Sequence, residues 1–163
     1  MLTLNPRSAA AALQLADLAQ RTASGDSGRD EAIRILRRAV ADGAESAAVF
    51  NRLGELEMAA GDRAAAERDL GEATRVAPGW AAAWAIWGDA AADGGRFDDA
   101  LARYRRAAAA DPTDPAIFLR LALLEIRRGR SAEARPYLER TLAVAPPGSP
   151  AAREAHRLLD GLR

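Results

Sequence analysis

The chain has 163 residues, with 23 basic residues balanced by 23 acidic ones, so it carries no global field that would draw it to nucleic acid or an anionic membrane. With no cysteine it has no disulfide framework, no thiolate nucleophile and no thiolate metal site. Every basic residue is arginine and alanine is in excess, a bias that a skewed genome explains as readily as chemistry does.

Along the chain, the segment Met1 to Pro6, with Arg7 and an alanine run behind it, lacks the apolar centre of a signal peptide, and no stretch is long enough to span a bilayer. A cytoplasmic protein is expected, or a periplasmic one if a leader has been removed. From there a period of 34 residues governs the sequence. Ala32, Ala66, Ala100 and Ala134 fall in one column, Leu36, Leu70, Tyr104 and Leu138 in a second, and Ala39, Ala73, Ala107 and Thr141 in a third. Within each period apolar residues recur at helical spacing and breakers occur twice, which predicts a pair of antiparallel helices per unit.

Residues 13–46 form a degenerate first unit. Its first helix is expected to stop near Thr22, before a loose connection over Ser24 to Arg29, and this is expected to be the most mobile part of the chain. In the second unit, 47–80, Phe50, Leu53, Gly54 and Glu57 mark one helix and Ala66, Leu70, Ala73 and Val76 the next, with Gly61 and Asp62 between them and Pro78 closing. The third, 81–114, repeats this with Trp84, Trp87 and Gly88, then Gly94 and Gly95, then Ala100, Tyr104 and Ala107, then Pro112. The fourth, 115–148, has Phe118, Leu121 and Ala122, then Gly129, then Ala134, Leu138 and Val144, then Pro146. Small residues at Gly54, Gly88 and Ala122 let the two helices of a unit approach closely, and Trp84 and Trp87 read as core aromatics. Trp80, at a unit boundary, is expected to be partly exposed and to pack on Pro78. Ser46, Asp114 with Pro115, and Ser149 with Pro150 are helix starts. Pro136 interrupts a helix and is expected to bend it or delay its start. Residues 149–163 form an amphipathic terminal helix with Ala155, Leu158, Leu159 and Leu162 inward.

Catalytic signals are weak. The single histidine, His156, falls in the column of Gly54, Gly88 and Ala122 and reads as a packing residue, so no catalytic triad and no metal site are expected. Asp98 and Asp99 suit a helix start better than acid–base work, Asp99 being spaced to pair with Arg103. Gly94 and Gly95 with Arg96 lack the strand and the lysine of a phosphate loop. Neither an enzyme nor a cofactor is expected.

The sequence of aromatic, leucine and glycine, alanine, aromatic, alanine and closing proline over residues 47–148 resembles the tetratricopeptide repeat. The resemblance implies an all-α, right-handed α-solenoid of antiparallel helix pairs, about four units and a capping helix making a single domain over 1–163. It also implies that the first helices line a concave groove that holds a peptide or amphipathic helix of another protein. The groove positions are then Asn51, Arg52, Glu55 and Met58; Ala82, Ile86, Asp89 and Asp93; and Leu119, Arg120, Leu123 and Arg127. Arg52, Arg120 and Arg127 would face Glu55, Asp89 and Asp93 across an apolar floor. Some members of the family grip a free carboxylate with lysines and asparagines. Here Asn51 and Arg120 hold clamp-like places, but Glu55, Ile86 and Ala116 replace the others and the chain has no lysine, so that clamp is not expected. A monomer or weak homo-oligomer acting as an adaptor leads, with no nucleic acid and no membrane insertion expected; an oligomerisation module and the targeting part of a larger enzyme stay open.

Overall fold

In the computed structural model, residues 8–23 and 25–162 are described, and they are all-α. Nine helices occur among the described residues: α1 (Ala9–Thr22), α2 (Asp26–Ala41), α3 (Ala47–Ala60), α4 (Arg63–Val76), α5 (Ala81–Asp93), α6 (Phe97–Ala110), α7 (Pro115–Arg127), α8 (Ser131–Val144) and α9 (Pro150–Gly161). The expectation for Met1 to Arg7 lies outside the described residues. The helices group into two compact units, Met1–Pro78 and Gly79–Arg163.

In the first unit α1 packs on α2 and α3 on α4, with α2 joining the pairs through α3. The core is formed by Ala12 and Ala16 of α1, Ala32, Leu36 and Ala39 of α2, and Val49, Leu53 and Leu56 of α3. Gly54 lies against Leu70 so closely that a Cβ there would come within 2.6 Å of Leu70 Cδ2. The glycine is therefore what permits the α3–α4 approach that the 34-residue columns imply. In the second unit Gly88 has the same relation to Tyr104, where a Cβ would stand 2.5 Å from the ring Cδ1. The core there gathers Ala91, Ala100, Leu101, Tyr104, Phe118 and Leu121, and a further cluster joins Ala122, Leu138 and Ala155 with Leu158, Leu159 and Leu162 packed against it.

Helix starts follow the side chains. Ser46 accepts from the Val49 amide at 3.2 Å, Asp62 from Ala65 at 3.0 Å, Asp114 from Ala116 at 2.8 Å and Ser149 from Ala152 at 3.2 Å. Each satisfies an amide left unpaired in the first helical turn.

Four expectations are corrected. First, α1 does end at Thr22, but no loose turn runs to Arg29: α2 begins at Asp26 and is 16 residues long, one turn ahead of the position set by Asp62 in the period. Gly28 lies inside it, buried, where a Cβ would fall 2.6 Å from the Ala23 carbonyl oxygen, so this glycine serves close approach. Ser24 itself lies outside the described residues. Second, α8 starts at Ser131 with Pro136 inside it, so the proline does not delay the helix. Third, Trp87 is half-buried, with the Arg103 guanidinium 4.3 Å above its ring in place of an apolar cover, whereas Trp84, stacked on it at 5.6 Å, packs against Ala85, Ala107 and Ile117 as its column implies. Trp80 is half-buried, the partial exposure its boundary position implies. Fourth, His156 is exposed. The caps Ser46, Trp80 and Asp114 are 34 residues apart, but the next is Ser149, one residue late. α9 packs on α7 and α8 through Ala152 and Ala155, and it is Ala155, not His156, that joins Ala122 and Leu138.

Candidate functional site

In the first unit the polar face of α3 meets α1. Arg52 donates from Nη2 to Asp17 at 2.9 Å and to the Gln20 side-chain oxygen, and from Nη1 to Glu55 at 2.9 Å. Burial acts to lower the Arg52 pKa, but the bonds to Glu55 and Asp17 outweigh it and hold the guanidinium above its ordinary value. Asn51 donates to Glu55 at 2.8 Å and is only 6% exposed, so it does not line an open surface as its helical position suggests. Met58 is half-buried. A polar hollow of about 460 Å³ lies beside Arg52, lined by Gln14, Asp17, Gln20 and Arg21. Of the four groove positions expected on α3, only Arg52 borders it.

Deeper in the same unit, Arg37 of α2 reaches two buried carboxyls. Its Nη2 lies 2.5 Å from Glu57 Oε1 and 2.6 Å from Asp69 Oδ2, while Nη1 donates to Asp69 Oδ1 at 3.0 Å. Desolvation, joined by the neighbouring Asp69, raises the Glu57 pKa to about 8.

In the second unit the first helices α5 and α7 present Asp89 and Arg120 to one another. Arg120 Nε donates to both Asp89 oxygens, at 3.0 and 3.1 Å, and Nη1 reaches the Ala116 carbonyl at 3.4 Å. From α6 the Tyr104 hydroxyl donates to Asp89 Oδ1 at 2.7 Å. Burial first, and then the Asp89 charge, push that hydroxyl far above its ordinary range, so it remains a donor throughout. Arg127 donates to the Ala92 carbonyl at 3.3 Å, near the end of α5, and lies 5.3 Å over the Phe97 ring. Around these groups is a cleft of about 480 Å³ lined by Asp89, Ala92, Asp93, Tyr104, Arg120, Leu123, Leu124, Ile126 and Arg127. Leu123 is 37% exposed there.

The structure thus brings together Asp89, Asp93, Arg120, Leu123 and Arg127, five of the eight positions expected on α5 and α7. Ala82, Ile86 and Leu119 lie outside this lining; Ala82 is exposed and the other two are half-buried. Sequence reading missed Tyr104 as a polar member, because its column marks it for packing. Among the described residues no group of His, Asp or Glu is arranged to hold a metal ion, and no helix is long and apolar enough to cross a membrane.

Two models of the tetratricopeptide repeat match the chain, over residues 51–115 and 91–159. The chain belongs to the tetratricopeptide repeat family. Solved structures with the same α-solenoid fold include MamA, at 21% identity and TM-score 0.75, covering 85% of this repeat protein and 74% of MamA. YrrB, a tetratricopeptide repeat protein with an unusual peptide-binding site, is 19% identical at TM-score 0.76 over 96% of this chain and 78% of its own. A chain of the APC/C hetero-tetramer Cut9–Hcn1 aligns at 20% identity and TM-score 0.78 over 94% of this chain and 30% of its own. At such identities the likeness establishes the fold alone. No curated protein sequence matches this repeat protein.

Proposed function

We propose that this tetratricopeptide repeat protein is an interaction adaptor whose second-unit cleft receives a peptide or amphipathic helix of another protein. The observation that carries the reading is the cleft over Asp89 and Arg120, where an exposed leucine and the buried Leu124 adjoin charged groups already fixed in place. A surface of that kind gains affinity from apolar burial and takes its register from flanking polar groups. YrrB, with its peptide-binding site on the same fold, is consistent with this use.

The test compares wild type with Leu123→Glu combined with Arg127→Glu, two exposed positions; the second also gives up the bond to the Ala92 carbonyl, so circular dichroism first checks that the helices are kept. Proteins captured from the native lysate are identified and their affinity for both forms measured by calorimetry. A partner bound by wild type and at least tenfold weaker with the variant supports the cleft. Equal affinity for both moves the binding surface elsewhere.

A second reading, self-association, is favoured by Leu15 and Leu18 on α1, which are 37% and 47% exposed on a helix whose other apolar face is buried. Sedimentation decides it: a mass that rises with concentration supports association, and a constant monomer mass removes it.

A further inference from the structure

The Arg37 cluster is unusual in its charge balance. Glu57 and Asp69 are 3% and 4% exposed and share one guanidinium, that of the half-exposed Arg37, so the ionised cluster would set two buried negative charges against one partly solvated positive charge. Both carboxyls lean on the same Nη2, and Glu57 Oε2 is buried with no hydrogen-bond partner to stabilise a charge on it. Of the helices packed on α3, α2 supplies Arg37, α4 supplies Asp69, and α1 supplies Asp17, which is committed to Arg52. Among the described residues no second cation pairs with Glu57 or Asp69. An uncompensated buried charge is costly, and two adjacent carboxyls relieve it by holding a proton between them.

We propose that Arg37, Glu57 and Asp69 form a proton-operated latch: with one proton held by the carboxyl pair the cluster is neutral and fastens α2 to α3 and α4, and loss of that proton weakens the fastening. The direction follows from linkage. Folded Glu57 holds its proton up to about pH 8, whereas the opened chain releases it near the ordinary 4.5. In between, the closed form binds more protons, so closure is favoured below pH 4.5, weakens as pH rises, and levels off once Glu57 is ionised in the closed form too. The first unit makes this visible, because residues 1–78 contain no histidine, cysteine, lysine or tyrosine. Apart from the chain's amino group, a displaced carboxyl is the one ordinary side-chain source of titration there near neutral pH.

Hydrogen–deuterium exchange, corrected for the intrinsic pH dependence of amide exchange, tests the latch on the whole chain. The opening equilibrium for peptides of α2, α3 and α4 is expected to rise about 30-fold between about pH 6.5 and about pH 9, flattening above 8. Glu57→Gln, which cannot ionise, is expected to abolish that rise. A wild type with no rise, or a variant that keeps it, overturns the proposal. Should the variant fail to fold, carbon NMR of the wild-type Glu57 carboxyl decides: titration near 8 sustains the latch and titration in the ordinary carboxylate range overturns it.

Discussion

Replacing Gly88 with alanine connects the packing of the second unit to its cleft. The new methyl would come within 2.5 Å of the Tyr104 ring, which is 4% exposed and has little room to retreat. Overpacking of this kind costs about 1–3 kcal/mol. If the ring moves, its 2.7 Å bond to Asp89 is stretched, a further loss of about 1.5 kcal/mol for a hydrogen bond to a charged group. Alanine returns about 1 kcal/mol through its better helix propensity. The balance is a loss of about 2–3 kcal/mol, or a fall of about 5–10 °C in Tm for a chain of this size. Trp80, Trp84 and Trp87 are the chain's three tryptophans and all lie in the second unit, so urea unfolding followed by their fluorescence reports on the affected part. Adding Tyr104→Leu should recover the clash term, since Leu138 already sits with Ala122 in the next pair. A Gly88→Ala protein as stable as wild type, or a double-mutant cycle without coupling, would refute the close-approach argument.

Three further outcomes follow from the same geometry. Asp114→Ala, which removes the acceptor for the Ala116 amide, should cost about 1 kcal/mol in denaturant titration, because that amide then loses its protein partner. Pro136→Ala should stabilise the chain by about 1–2 kcal/mol by the same measurement, since an alanine restores a helical donor at an exposed position within α8. Tyr104→Phe should leave Asp89 held by Arg120 alone and lower stability by about 1–2 kcal/mol, with the loss seen in tryptophan fluorescence.

Much of the architecture was legible because a repeat writes the same instruction several times. Gly54 against Leu70 and Gly88 against Tyr104 are the columns read directly into space, and Ser46, Asp114 and Ser149 cap the helices where their side chains imply. The failures occur where the chain departs from its own period. Gly25 and Gly28 look like a loop in isolation, yet Gly28 is demanded by the carbonyls of α1's last turn and its connection, which only the tertiary approach reveals. At α9 the residue that joins Ala122 and Leu138 is Ala155, and His156 beside it is exposed. The Arg37 cluster was invisible for the same reason: one period on from Arg37 stands Gly71, from Glu57 Ala91, and from Asp69 Arg103, so the triad is written once and no column announces it. On the candidate face, helical position located Asp89, Arg120, Leu123 and Arg127, but it could not show that Arg120 is spent on Asp89 or that Asn51 is enclosed.

The pairing of Asp89 with both Arg120 and Tyr104 has a kinetic corollary. Ions that already neutralise one another project little potential into solvent, and the chain as a whole adds none. A segment entering the cleft would arrive by unsteered diffusion, at about 10⁵–10⁶ M⁻¹ s⁻¹, with a rate almost indifferent to ionic strength. Discrimination between competing segments would then lie in how long each one stays.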